Sequence, residues 1–159
     1  GPLREPITRL ATVDYVVVNG EGVGNDQLAG IDTMHLDAYV VRSIDDEKMY
    51  PVEEFATMCD QVAVHAVAGI GNPGRFFRLL EDLGIKAEAS VFPDHHVYSA
   101  SDFASVEPGS AIIMTEKDAV KCRSMGLENA WYIPVEARLP ETFEQRFTRH
   151  LARLTGREQ

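Results

Sequence analysis

The period of apolar positions changes along this chain, and the change divides it. Residues 13–18, Val-Asp-Tyr-Val-Val-Val, form a short β-branched run that ends in Asn19-Gly20-Glu21-Gly22, the pattern of a buried strand running into a turn-forming loop. From 32 to 44, Met34, Leu36, Ala38 and Val40 alternate with more polar residues, which predicts one half-buried strand, and residues 48–52 can pair with it as a ribbon. Beyond about residue 60 strand-like and helix-like stretches alternate. Strands are predicted over 62–67, 87–92, 111–115 and 130–135, and helices over 73–83, 101–106, 117–125 and 141–154. Such alternation implies βαβ units. The expected fold class is therefore α/β, a Rossmann-like parallel sheet flanked by helices, preceded by an N-terminal strand and a β-ribbon linker. The corresponding divisions are residues 1–27 as the end of a preceding N-terminal domain, a ribbon linker over 28–58, and a C-terminal α/β domain over 59–159.

Composition narrows the possibilities. The 159 residues are 45% hydrophobic, enough for one ordinary core. A formal net charge of −10 repels polyanions, and no basic face stands out, so a nucleic-acid partner is not expected. Cys59 and Cys122 are too few for a disulfide framework and lack metal-type spacing, and read as reduced thiols. No apolar run approaches the ~20 residues of a membrane span, and no signal peptide opens the chain, so it is expected to be soluble. The first residue is Gly1, the mark of a processed or tagged chain, or of one cut from a longer protein.

Loops after the strands of a parallel sheet converge on one edge, and here three of them carry polar chemistry. Gly69-Ile70-Gly71-Asn72-Pro73-Gly74 follows a strand, opens a helix and satisfies G-x-G-x-x-G. Asp94 follows at about the ~20-residue distance of a ribose-binding acid. That spacing suits a dinucleotide site, but the motif reads first as a tight structural strand-to-helix turn and next as an anion contact at the helix start. Phe92-Pro93-Asp94-His95-His96 sets a carboxylate beside two imidazoles, groups that can orient one another and titrate near neutrality. The plain alternative is a turn in which Asp94 caps the next segment. A metallohydrolase would need further ligands, and no D-x-D pattern supplies them.

Thr115-Glu116-Lys117-Asp118 reads mainly as a helix cap, with Asp118 favouring the positive helix end. Its likeness to a GTP-binding base loop is coincidental, because no Gly-x-x-x-x-Gly-Lys-Ser/Thr loop occurs in the chain. Arg4 and Glu5 lie between two prolines and read either as a surface ion pair or as a guanidinium on phosphate and a carboxylate beside a metal. Asn19 suits a turn, or a contact to a base or phosphate. In the final helix Phe143, Phe147, Leu151 and Leu154 form an apolar stripe expected to pack on a core, flanked by arginines that would also suit an anionic membrane surface.

Taken in order, Gly1-Pro2-Leu3-Arg4-Glu5-Pro6, Ala68-Gly69-Ile70-Gly71-Asn72-Pro73, Phe92-Pro93-Asp94-His95-His96, Met114-Thr115-Glu116-Lys117-Asp118-Ala119-Val120-Lys121 and Trp131-Tyr132-Ile133-Pro134-Val135 closely resemble the C-terminal half of the tetraacyldisaccharide 4′-kinase family. The resemblance implies an ATP- and Mg²⁺-dependent kinase that phosphorylates the 4′-hydroxyl of tetraacyldisaccharide 1-phosphate to give lipid IVA, peripheral to the cytoplasmic face of the bacterial inner membrane. It also implies a partner, the N-terminal P-loop half of the same protein, holding most contacts to ATP and Mg²⁺, and a cut just upstream of Gly1. By the same resemblance Asp94, His95 and Glu5 are catalytic, His95 supporting a distant carboxylate, and Arg4, His96 and Asn19 bind substrate or phosphate. His95 is preferred to His96 as the inward-facing imidazole. The ribbon would act as a hinge between lobes, and the chain alone is expected to lack kinase activity.

Overall fold

The computed structural model describes residues 5–20, 31–46 and 48–156. They belong to two compact units: residues 1–37 with 136–159, and residues 38–135. These divisions fall at 37/38 and 135/136, not at the 27/28 and 58/59 expected from the change of period.

In the first unit a 3-10 turn over Ile7–Thr12 precedes strand β1 (Val16–Asn19). This strand runs parallel to β2 (Ile31–Asp37), which pairs antiparallel with β9 (Glu136–Arg138). Helix α4 (Glu141–Thr155) follows and ends at Gly156, whose φ of 64° gives the left-handed turn that closes helices. Tyr15 ties strand to helix. Its ring meets Phe143 and Phe147 edge-on at 5.5 and 5.7 Å, and its hydroxyl lies 3.1 Å from His150 Nδ1. Arg146 on the same helix pairs with the nearly buried Asp32. The expected core stripe is only partly realised: Phe143 is buried, but Phe147, Leu151 and Leu154 are 44%, 49% and 73% exposed.

The second unit holds a sheet formed by β3 (Val40–Ser43), β4 (Met49–Pro51), β5 (Val64–Ala68), β6 (Glu88–Val91), β7 (Ala111–Thr115) and β8 (Ala130–Ile133), in the order β4-β3-β8-β7-β5-β6. The last four strands in sequence are mutually parallel, and β3 and β4 add an antiparallel ribbon at the β8 edge. The fold class is thus α/β with a parallel-rich sheet flanked by helices. The ribbon exists, but the single strand expected over 32–44 is two strands in two sheets, broken at Ala38 and Tyr39.

Residue alternation explains why both faces are covered. In β5, β7 and β8, Ala66, Ala68, Ile113, Trp131 and Ile133 face a core shared with Phe55 of helix α1 (Val52–Cys59) and Phe76 and Leu80 of helix α2 (Pro73–Asp82). Their neighbours Val67, Ile112, Met114, Ala130 and Tyr132 face a second core with Phe103 of a 3-10 turn (Ala100–Phe103) and Ala119 and Cys122 of helix α3 (Glu116–Cys122). A strand buried on both faces reads as a continuous apolar run, as Ala-Ile-Ile-Met does in β7. The segment expected as a helix over 101–106 is only this 3-10 turn, and α1 was not expected from the sequence.

Candidate functional site

Strands β6 and β7 lie on opposite sides of β5, so the connections leaving β5 and β7 part in opposite directions. In open α/β sheets this reversal, at the carboxyl ends of the strands, is where ligands bind. The three polar loops meet there. Gly69 donates its N–H to Asp118 Oδ2 at 3.0 Å. A Cβ built on Gly69 would lie 3.4 Å from the Pro93 carbonyl oxygen, and one on Gly71 would lie 3.6 Å from Asp94 Oδ2.

The turn Pro93–His96 closes with a bond from the His96 N–H to the Pro93 carbonyl at 3.0 Å. His95 takes a φ of 63°, a left-handed conformation uncommon outside glycine, though histidine is among the residues enriched there. Its N–H donates to Asp94 Oδ1 at 3.1 Å, and its Nε2 is 3.8 Å from Asp94 Oδ2. The His95 side chain is 83% exposed, whereas that of His96 is 25% exposed. His96 stacks on Phe92 with ring centroids 4.6 Å apart and pairs through Nε2 with Asp102 Oδ2 at 3.2 Å. The two adjacent imidazoles therefore have different surroundings, one open to solvent and one built into the loop.

The next segment is capped by Ser99 and Asp102, not by Asp94. Ser99 donates its N–H and hydroxyl to Asp102 Oδ2 at 2.7 and 3.0 Å. These bonds, the backbone one foremost, together with His96 hold the Asp102 carboxyl below its usual value.

Asp118 takes a position that its sequence context did not suggest. It sits in the first turn of α3, yet its side chain is fully buried. Oδ2 accepts from Gly69 N–H and from the Thr115 hydroxyl at 2.7 Å, and Oδ1 accepts from Lys121 Nζ at 3.0 Å. Thr115 also caps the helix by accepting the Asp118 N–H at 3.3 Å. Burial disfavours the Asp118 charge, but the Gly69, Thr115 and Lys121 donors outweigh it and hold the carboxyl below its usual value. Beside it, the Tyr98 hydroxyl is buried and, among the described residues, reaches no hydrogen-bond partner. Burial, then the Asp118 charge, push its ionisation well above that of a free phenol. The i, i+3 spacing of Thr115 and Asp118 resembles a capping box and was the available signal for Asp118; nothing in the sequence marked Tyr98.

This geometry bears on the glycine motif. The Gly69 N–H is committed to Asp118, and Gly69 is crowded by Tyr98 and Pro93, so its lack of a side chain serves protein packing. The structure thus gives the first motif glycine the role of a tight strand-to-helix turn. A separate depression of about 540 Å³ lies at the opposite, amino ends of β5 and β6, lined by Cys59, Asp60, His65, Lys86 and Glu88. That hollow lies away from the three convergent loops.

In the first unit Glu5 pairs with Arg9 at 2.9 Å on an exposed surface. Asn19 ends β1 opposite Met34, and Gly20 donates its N–H to the Met34 carbonyl at 3.0 Å. Arg4 lies outside the described residues. Among the described residues no group of three His, Cys, Asp or Glu side chains is arranged to hold a metal ion, and Asp94-His95-His96 does not converge as a ligand set because His96 is turned to Asp102.

A family model for tetraacyldisaccharide-1-P 4'-kinase (LpxK) matches residues 1–152. The tetraacyldisaccharide 4'-kinase of Halorhodospira halophila is 49% identical over 141 residues, covering 86% of this chain and 38% of that protein. Its counterpart in Alcanivorax borkumensis is 46% identical over 141 residues, covering 89% and 41%. The chain therefore spans about two fifths of the length of these curated relatives. The crystal structure of "apo" form LpxK from Aquifex aeolicus in complex with ATP is similar with a TM-score of 0.65 and 25% identity, over 95% of this chain and 45% of that one. The order of the loop motifs, the doubly covered sheet that presents them and these likenesses agree: the chain belongs to the tetraacyldisaccharide 4'-kinase family.

Proposed function

We propose that this chain is the C-terminal portion of a kinase that transfers the γ-phosphate of ATP to the 4′-hydroxyl of tetraacyldisaccharide 1-phosphate, giving lipid IVA. The observation that carries the reading is the Asp94–His95 turn. An exposed imidazole in a left-handed backbone stands beside a carboxylate at the switch point of the sheet. Phosphoryl transfer relies on positioning and charge stabilisation. In that setting His95 supports a carboxylate on the opposite half of the protein, and that carboxylate takes the proton of the sugar hydroxyl. Asp94 orients His95 through its backbone N–H. His96 contributes by holding the loop, and any contact to substrate phosphate comes from Arg4, with Asn19 as a second polar group.

The N-terminal P-loop half is the partner that completes the cleft. Mg²⁺ accompanies ATP there, with Glu5 near it; the described residues form no metal site of their own, so no step is assigned to the ion within this chain. The lipid acceptor places the whole kinase at the cytoplasmic face of the inner membrane, as a peripheral protein. No helix among the described residues is long and apolar enough to cross a bilayer.

The test is His95→Ala in the full-length kinase, assayed by ATP-dependent phosphorylation of the disaccharide. Because His95 is exposed, the thermal midpoint should hold while kcat falls by about 10²–10⁴. Wild-type turnover in a folded variant would remove the turn from the chemistry.

A further inference from the structure

We propose that Gly69, Tyr98 and Asp118 are positioning residues that set the height of the Asp94–His95 turn above the sheet. The inference rests on the reading of that turn as part of the phosphoryl-transfer site. The turn hangs between Phe92 and Tyr98, and both ends bear on Gly69. A Cβ on Gly69 would lie 2.7 Å from the Tyr98 hydroxyl, 3.4 Å from the Pro93 carbonyl and 3.2 Å from Asp118 Oδ1. Three elements thus close on one point where only hydrogen fits.

Asp118 fixes that point. Its carboxylate joins the β5 turn, through the Gly69 N–H, to the β7 turn, through the Thr115 hydroxyl, with Lys121 balancing its charge. Tyr98 carries the position to the catalytic loop. Its ring contacts Phe92 at 5.3 Å, His96 at 4.9 Å and Phe103 at 5.8 Å, and Lys121 Nζ lies 5.5 Å from its centroid. His96 is the residue after His95, so a shift of the Tyr98 ring reaches the catalytic imidazole through one peptide unit. The interior is packed too densely to absorb such a shift locally.

The steric relation supplies its own control. Gly69→Ala drives a methyl group into the Tyr98 hydroxyl, and Tyr98→Phe removes that oxygen. In the full-length kinase Gly69→Ala should lower kcat by about 10- to 100-fold, because displacements near 1 Å have effects of that order. KM for ATP should change by less than about twofold, since the P-loop half holds the nucleotide. Gly69→Ala/Tyr98→Phe should recover kcat to within about threefold of wild type. Wild-type kcat in folded Gly69→Ala, or a loss that the second substitution does not relieve, would overturn the inference.

If Gly69→Ala does not fold, Asp118→Asn replaces it. The amide oxygen can keep the Gly69 and Thr115 bonds while the NH₂ group faces the Lys121 ammonium. An approximately tenfold fall in kcat, relieved by Asp118→Asn/Lys121→Met, is expected; unchanged kcat in the single variant would overturn the inference. His95→Ala, assayed alongside, separates the two readings. If it loses turnover and Gly69→Ala does not, the catalytic turn stands and the positioning role falls; if it keeps turnover, both fall.

Discussion

Asp118 shows how context decides what a residue does. As one acid in Thr-Glu-Lys-Asp at a helix start, it suits the positive end of the helix, yet it is a fully buried charge with three donors. A buried carboxylate persists as an ion only when its partners are in place. The linkage has a definite sign. Its folded-state ionisation lies below the ordinary 3.8, so its contribution to stability is complete above that value and is lost as pH falls through it toward the lower folded one. Urea midpoints measured from pH 7 to pH 3 should therefore decline less steeply below about pH 4 in Asp118→Asn than in wild type; parallel profiles would show that Asp118 is not the linked group. The two cysteines are a contrasting pair: burial foremost, with the negative charge of Asp60 acting on Cys59 and of Asp118 on Cys122, pushes each thiol up to about 11, which leaves them packing groups with little thiolate near neutrality.

Among the elements, β7 carries the most structural weight. It is central to the sheet, flanked by β5 and β8, and four of its five residues are buried. Ile113 is completely buried in the core beneath α1 and α2. Ile113→Ala should cost about 2–5 kcal/mol, read by denaturant unfolding, because it loses transfer free energy and leaves a cavity. A cost below ~1 kcal/mol would mean the surrounding side chains collapse into the space. Helix α4 differs. Its apolar stripe is periodic in sequence, but among the described residues Tyr15 covers only the Phe143 and Phe147 end. The loop containing His96 is a third kind of element, held by ring stacking and the Ser99–Asp102 cap in place of a regular ladder.

At the level of the molecule, the chain passes between its two units twice, at 37/38 and 135/136. The strand pattern read as one ribbon spans the first crossing, with β2 and β3 on its two sides. The sequence contains no Gly-x-x-x-x-Gly-Lys-Ser/Thr loop, and phosphoryl transfer by a P-loop kinase depends on that cradle. The purified 159-residue chain, incubated with ATP, Mg²⁺ and the disaccharide, should give no phosphorylated product above a no-enzyme control. Sustained turnover would place the phosphate cradle within this chain.

The parallel sheet was legible because strands buried on both faces leave continuous apolar runs, and the helices between them leave a 3.6-residue period. Strand β7 matched its predicted range, and α2 and α4 matched theirs to within a residue. The convergence of Gly69, Asp94 and Asp118 on one sheet edge followed from the alternation alone. Helix α1, the break at Ala38 and Tyr39, and the short strand β9 were not legible, because local periodicity does not register which sheet a segment joins. The two histidines were equivalent as letters and became distinct through the left-handed φ of His95 and the Phe92 and Asp102 contacts of His96. Residue order thus set the layers and delivered the chemical groups to one edge, since both depend on short-range patterns. Which imidazole is exposed, and which acid is buried, depended on contacts between residues as far apart as Gly69 and Asp118, and those exist only once the sheet has brought its loops together.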